Sequence, residues 1–397
     1  MTAKPEAAPA IPNGVHITIV VYGPLYTRLF IEVGLRNLVA LVPEIPEFLR
    51  AKSLVRIVTT EHDHAVLRKS PMLGELQKQI RVDVLEKVSM GDERRHGGYA
   101  PMVATQRLVV IEAARDNAAI IFFGPDTLCS RGSFAFLIDR LCMGYRLIVG
   151  PSLRIKRDAS LPYIREQIRA GGNGAFALEP EDQCDLFFRY FHPSMDEFVL
   201  ESENSIQWKA YVFHRPRERE LLIRFLQGPT LAAWPSRRAD DFDGFIDHEL
   251  PELCCDTWRQ MYVVEDARDY LALDLTKDDL PSGHQPSVFP RTDLLRSLFD
   301  TKNIRTLKLL YGLRTCRVHG SVRSSATDVQ KWERTFADTV DPLMLVALVQ
   351  RNLPAVFFLR TLYKYLCIWN TNTIIFILRY AARTLLRPYK QQAPVSR

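Results

Sequence analysis

MVATQRLVVIEAARDNAAIIFFGPDTLCSRGSFAFLIDRLCMGYRLIVG, residues 102–150, decides the fold class. The stretch predicts a helix over 102–116, a strand over 119–123 (AIIFF), a Gly-Pro turn, a helix over 133–144 and a strand over 145–150 (YRLIVG). Phe134, Leu137, Ile138 and Leu141 recur at i, i+3, i+4 and i+7, the stripe of a helix that lies on a sheet.

Upstream, residues 16–22 (HITIVVY) are a β-branched run closed by Gly23-Pro24, which reads as a buried strand and a turn. Tyr26, Leu29, Phe30, Val33 and Leu41 then share one side of a helix. A second strand is expected over 54–60, and a third, half-exposed one over 81–88, where Val82 and Val84 alternate with charged residues. Strands alternating with helices over 15–160 imply an α/β fold on a doubly wound, mostly parallel sheet. Ligands of such sheets bind beyond the carboxyl ends of the strands, which points to Tyr22 and Gly23, to 59–61 and to 124–130.

Downstream the pattern changes. Residues 160–230 are helical and mixed, with Gly171-Gly172-Asn173-Gly174 as a flexible break, and 231–285 show short strands separated by acidic loops. From 286 onward only helices are expected. Residues 1–14 lack an apolar stretch and are expected to be a flexible Pro/Ala-rich tail, not a signal peptide.

The 397 residues, 47% hydrophobic and 25% charged, match ordinary globular usage and argue against disorder or an integral-membrane bundle. The net charge of +6 is concentrated: no acidic residue follows Asp341, while eight Lys or Arg do. On a helix from Ile374, Arg379, Arg383 and Arg387 project from one side, and Ile374, Ile377, Leu378, Ala381 and Leu385 from the other. The preceding apolar run, 355–369, is interrupted by Arg360 and Lys364. Neither stretch supplies the roughly 18 uncharged apolar residues that a span needs, so 354–387 is expected to lie on an anionic membrane surface. The alternative is a pair of helices packed on the rest of the protein. Basic residues interleaved with large aliphatic ones speak against nucleic acid as a partner. Seven cysteines occur without CxxC spacing, and Cys142 and Cys367 sit in apolar helical patterns, which suits a reducing, cytoplasmic compartment. The absence of GxGxxG, GxxxxGK[ST], HExxH and GxSxG removes Rossmann dinucleotide enzymes, P-loop NTPases, and zinc and serine hydrolases.

The segments VVYGPLYTRLFIEVGLRNLVA (20–40), VRIVTTEHD (55–63), IIFFGPDTLCSRGSF (120–134) and YRLIVGPSLRI (145–155) resemble the nucleotide-binding half of GT-A glycosyltransferases. WPSRRADDFDGFIDHEL (234–250) and MYVVEDARDYLALDL (261–275) resemble the acceptor half of bacterial proteins of that type. The resemblance, over 15–285, implies a GT-A-like sheet with a C-terminal helical region. Residues 15–160 would bind the nucleotide sugar, 161–285 would face the acceptor, 286–341 would connect, and 342–397 would form the basic amphipathic tail. The implied activity is transfer of a sugar from a nucleotide-diphosphate donor to a glycan or lipid-linked acceptor. The implied setting is the inner, cytoplasmic face of a membrane, in the building of a cell-surface polysaccharide.

In that family a carboxylate at the end of the fourth strand, usually within Asp-x-Asp, holds Mn²⁺ or Mg²⁺ against the donor diphosphate. Asp126 occupies the matching position, and Gly124 stands where the first aspartate would be. The residues expected to bind the donor are Tyr22, Gly23, Thr60, Glu61, Asp126, Arg237 and Arg238, the two arginines as multi-donor cations for the diphosphate. Asp247 or Glu249 would act as general base on an acceptor hydroxyl, and His248 as a further metal ligand. Bland alternatives stand beside these roles. Asp126 could cap the following helix, although Ser130 is better placed, and 240–249 could be a solvated acidic loop. A catalytically degenerate GT-A domain that binds nucleotide or acts as a scaffold is the rival function. A nucleotidyltransferase is weaker, since 22–26 carry no Gly-rich basic loop.

Overall fold

The computed structural model of the chain describes residues 11–86, 100–172, 174–200, 202–205, 211–226, 228–235, 239, 242, 246–279, 314–321 and 324–352. The chain divides into two compact units, Met1–Met344 and Leu345–Arg397, and the elements that build a site belong to the first.

In chain order the elements are β1 (Val15–Val20), α1 (Pro24–Leu29), a π turn (Phe30–Gly34), α2 (Leu35–Leu41), α3 (Glu47–Arg50), β2 (Leu54–Val58), α4 (Glu61–Leu67), α5 (Pro71–Gln79) and β3 (Arg81–Leu85). There follow α6 (Ala100–Asp116), β4 (Ala119–Phe122), β5 (Thr127–Cys129), α7 (Ser133–Cys142), β6 (Leu147–Val149), β7 (Ser152–Lys156), α8 (Arg157–Ala170), α9 (Pro180–Arg189) and α10 (Pro193–Asp196). The remainder comprises β8 (Tyr211–Arg217), β9 (Glu220–Phe225), β10 (Thr230–Ala233), α11 (Ile246–Cys254), β11 (Met261–Val263), β12 (Ala272–Thr276), β13 (Cys316–His319) and α12 (Ala326–Asn352).

Seven strands form the central sheet in the order β3-β2-β1-β4-β10-β6-β11. All described neighbours are parallel except β10, which runs antiparallel to both β4 and β6. β1 is covered on both faces, as a central parallel strand requires, with Val15, Ile17 and Ile19 buried on one side and His16 and Thr18 on the other. Phe134, Leu137, Ile138 and Leu141 of α7 are buried too, as their spacing predicts. β3 is the half-exposed edge. The chain winds outward through β1, β2 and β3 and then places β4 on the other side of β1. That reversal opens a crevice beyond the carboxyl ends of β1 and β4.

A second sheet, β5-β12-β7, continues directly from the turns that end β4 and β6, with β12 antiparallel to β5 and parallel to β7. A third, β13-β9-β8, is antiparallel. Two of the central strands, β10 and β11, come from beyond residue 160.

Three local expectations are corrected. The region after 286 is not helical throughout, because Cys316–His319 forms β13 against β9, Cys316 facing Ile223. Four residues are too few for alternation to show in sequence, and the partner lies far upstream. The mixed 160–230 region ends in the β8–β9 hairpin. The acidic 240–249 segment is not a loop to its end: α11 begins at Ile246, and Ile246, Leu250, Leu253 and Cys254 supply a helical stripe that packs on the core. Among the described residues no helix is long and apolar enough to cross a membrane. The basic helix expected after Ile374 lies outside the described residues. Cys129, Cys142, Cys184, Cys254, Cys255 and Cys316 are free thiols.

Candidate functional site

β4 ends in Phe123-Gly124-Pro125-Asp126, and the turn closes with the Thr127 N–H donating to Gly124 O at 3.3 Å. A Cβ on residue 124 would run into the Thr127 hydroxyl, so this position has no room for a side chain. That hydroxyl is engaged: it donates to Asp274 Oδ1 at 2.7 Å, while Ser152 donates to Asp274 Oδ2 at 2.8 Å. β12 brings Asp274 opposite Thr127, and the Leu275 N–H donates to Asp126 O at 3.0 Å. A second carboxylate is thus brought to this turn from a strand 147 residues on from Thr127.

Asp126 and Asp274 are half-buried neighbours, and each resists losing its proton. Burial is the larger cause at Asp126, and the facing charge of Asp274 adds to it, pushing its carboxyl up to about 7. Burial also raises Asp274, outweighing the hydroxyl hydrogen bonds that favour its ionised form. Arg154 on β7 and Arg157 at the start of α8 stand close enough to draw Asp126 partly back down. Arg154 is exposed, and Arg157 is held by Asp158 at 2.8 Å.

Asp126 is free of capping duty. The first N–H groups of α7 go to the carboxylate of Glu44, which accepts from Gly132 at 2.7 Å, Phe134 at 3.0 Å and Ala135 at 3.3 Å. Ser130 is no cap either, since its hydroxyl pairs with that of Ser133 at 3.0 Å. Asp278 serves α8 in the same way through Asp158 N and Ala159 N, at 2.8 and 3.1 Å.

Asp274, with Thr127 and Ser152, borders a cavity of about 240 Å³ at the switch point of the sheet, lined also by Thr18, Val20, Phe122, Gly124, Pro125 and Tyr270 among others, while Asp126 follows Pro125 in the adjoining turn. The buried Thr18 Oγ1 on its floor has no hydrogen-bond partner among the described residues. Ile246, the first residue of α11, lines the same cavity.

The residues singled out from sequence fall as follows. Tyr22 is exposed at the end of β1. Gly23 has φ +85°, a conformation that suits glycine, and its N–H donates to Asp63 Oδ2 at 2.9 Å. Thr60 caps α4 through Asp63 N and donates its hydroxyl to Asp63 at 2.7 Å. Burial raises the Asp63 carboxyl, but the Gly23 N–H and the Thr60 hydroxyl outweigh it and hold it below the usual carboxylate range. Glu61 is exposed in the first turn of α4. Asp247, His248 and Glu249 have helical backbone at the start of α11, with side chains outside the described set, and Arg237 and Arg238 lie outside the described residues altogether. Thr127 lies within the strand-end segment 124–130 that the sequence points to, whereas Asp274, Ser152 and Arg154 were not singled out. One signal was available: Asp274 interrupts the apolar run Leu271-Ala-Leu-Asp-Leu275 of a strand with no helix periodicity. Among the described residues no three His, Cys, Asp or Glu side chains gather into a ready metal cage.

The sequence matches no protein-family profile. It matches no curated protein either. Among solved structures it is similar to the mannosyltransferase PcManGT from Pyrobaculum calidifontis in complex with GDP-Man and Mn²⁺, with a TM-score of 0.31 and 11% identity, covering 96% of this chain and 83% of that one. A likeness at that level assigns no role to any residue here.

Proposed function

We propose that the chain is a GT-A-type glycosyltransferase that moves a sugar from a nucleotide-diphosphate donor to a glycan or lipid-linked acceptor. The observation that carries this is Asp274 in the wall of the switch-point cavity, with Asp126 close enough in the adjoining turn to feel its charge, where a parallel sheet takes its ligand. Their donor set fits a hard divalent cation, since Mg²⁺ or Mn²⁺ with a nucleotide needs only one or two protein carboxylates, the phosphates and water supplying the rest. When bound, that cation supplies the charge that stabilises the departing diphosphate.

The chain's own residues do the remaining work in this proposal. Thr127 and Ser152 orient Asp274 through the hydrogen bonds described above. Arg154 and Arg157 offer guanidinium donors to the phosphates beside the pair, a task shared with Arg237 and Arg238. Tyr22 and Glu61 present a ring and a carboxylate for base and ribose, on a corner whose shape Gly23 and Thr60 set through Asp63. Asp247 or Glu249 on α11, the helix whose first residue lines the cavity, takes the proton of the acceptor hydroxyl, with His248 as an added metal ligand. The basic segment 354–387 would hold the enzyme to the anionic inner surface of a membrane.

A thermal-shift panel of nucleoside diphosphates with and without Mn²⁺ tests the proposal. At least one nucleotide is expected to raise the melting point in a Mn²⁺-dependent way, and Asp126→Ala to abolish that rise with little change in the apo protein. No shift with any nucleotide, or an equal shift in Asp126→Ala, overturns it.

A further inference from the structure

On the outer flank of edge strand β11 lies a second cavity, of about 360 Å³, that shares no lining residue with the first. Its size falls within the range of small-molecule sites, and its wall is aromatic. Residues 257–260 form a tight turn closed by a reciprocal capping box: the Thr257 hydroxyl accepts from Gln260 N, and the Gln260 side chain accepts from the Thr257 N–H. The Arg146 N–H donates to Gln260 O at 2.7 Å, fastening the turn to the residue before β6. This frame presents Trp258 to solvent, 49% exposed, with the Arg259 guanidinium 6.0 Å from its ring centre.

The opposite wall is equally fixed. Tyr145 and Tyr262 meet edge to face with centroids 5.1 Å apart, and the Arg140 guanidinium lies 4.9 Å from the Tyr262 ring centre. At the rim Glu265 and Arg314 form an ion pair at 2.7 Å. Rings already ordered by their neighbours lose little freedom when a ligand binds, which is how rigid aromatic anchors gain affinity.

The chemistry narrows the ligand. An exposed indole and two tyrosines offer negative ring faces, and the rim offers donors (Arg259, Arg314) beside an acceptor (Glu265). The Glu265–Arg314 ion pair cancels within the rim and leaves Arg259 as its remaining lining cation among the described residues, too little for a multiply charged anion, and a purely apolar ligand would leave the rim unmatched. A pyranose satisfies both: its axial C–H bonds make an apolar, weakly positive face, and its hydroxyls both donate and accept. We infer that this cavity is a saccharide subsite, separate from the carboxylate cavity, that holds one unit of a neutral glycan. That the glycan is the acceptor chain rests on the transferase proposal; the binding itself does not.

Calorimetric titration of the full-length protein with maltohexaose, cellohexaose and chitohexaose tests it, with the nucleotide and Mn²⁺ thermal shift recorded on the same samples. At least one hexasaccharide is expected to bind, Trp258→Ala to weaken it about tenfold or more, and Arg259→Ala to weaken it less. The nucleotide shift is expected to be unchanged in both variants. No binding by any of the three saccharides, or wild-type affinity in Trp258→Ala, overturns the subsite. Saccharide binding lost on Trp258→Ala in a protein that shows no nucleotide shift keeps the subsite and overturns the transferase proposal.

Discussion

Two carboxylate sites in this molecule solve the same problem in opposite ways. Asp266, between β11 and β12, is neutralised from within: it accepts the Arg268 N–H at 2.9 Å and the Arg268 guanidinium at 2.6 Å, and buried His319 stands 3.6 Å away. Burial works to raise its pKa, but His319 beside it and the hydrogen bonds from Arg268 outweigh it and leave the group well below the usual carboxylate range. Asp126 and Asp274 are given each other instead. Hydroxyls hold Asp274 in place without cancelling its charge, and both groups are shifted upward. A carboxylate answered by internal cations joins parts of the fold. Two carboxylates both shifted upward, one of them in a cavity wall, cost stability when ionised and would gain from a cation supplied from outside, which is the pattern the proposed metal role requires.

The comparison breaks first at Asp266. Asp266→Ala would leave Arg268 without its counter-charge and without the acceptor of its hydrogen bonds, an expected loss of about 3 kcal/mol in urea denaturation. A loss under ~0.5 kcal/mol, the usual size at an indifferent surface position, would make the site no joint at all.

Asp274→Asn is expected to act the other way. It should remove a Mn²⁺-dependent nucleotide stabilisation worth about 2.7 kcal/mol at a hundredfold excess over Kd. The metal-free protein at pH 8 should be as stable as wild type or up to ~1 kcal/mol more so. A marked fall in metal-free stability would place Asp274 with Asp266 as a structural group.

The two sites should also give opposite pH slopes in chelator-containing buffer. At the pair the folded pKa is raised, so the native state binds more protons than the unfolded one between the ordinary carboxylate range and about 7. Stability there falls as pH rises through that window, by about 1 kcal/mol after allowing for solvent access to a half-exposed site. Asp126→Asn should flatten this slope. At Asp266 the folded pKa is depressed, so its contribution is present above the ordinary carboxylate range and is lost on acidification. A wild-type slope retained in Asp126→Asn would show that the pair is not its source.

Arg154→Gln probes the smallest effect. An exposed guanidinium beside the pair should contribute to diphosphate affinity, and its loss is expected to weaken nucleotide binding about fivefold, ~1 kcal/mol, with melting temperature unchanged. Equal affinity in the variant would leave Arg154 as solvated charge.

Much of this was legible in the sequence where a signal is local. The helix–strand–turn–helix–strand unit of 102–150, the buried strand at 15–20 and the half-exposed strand at 81–85 follow from the spacing of apolar residues, because a strand or helix buries whichever face its own period exposes. Asp126 could be placed at a strand end for the same reason. α11 could have been found too, since Ile246, Leu250, Leu253 and Cys254 carry the helical period, but the density of acidic residues masked it.

What only the tertiary structure decided depends on pieces far apart in the chain. Glu44 caps α7 from 88 residues away from Gly132, which no spacing rule between neighbours can show, and this relieves Ser130 and Asp126 of that role. The antiparallel insertion of β10 between β4 and β6 rests on pairing between strands distant in the chain, which their composition does not show. The placement of Asp274 opposite Thr127, the residue after Asp126, follows from the register of β12 on β5. Sequence determined that a carboxylate stands at the end of β4, because local periodicity sets where a strand stops. Only the long-range hydrogen bonding of β12 to β5 decided that a second one stands beside that turn, because the charge interaction between the two exists only once the strands are side by side.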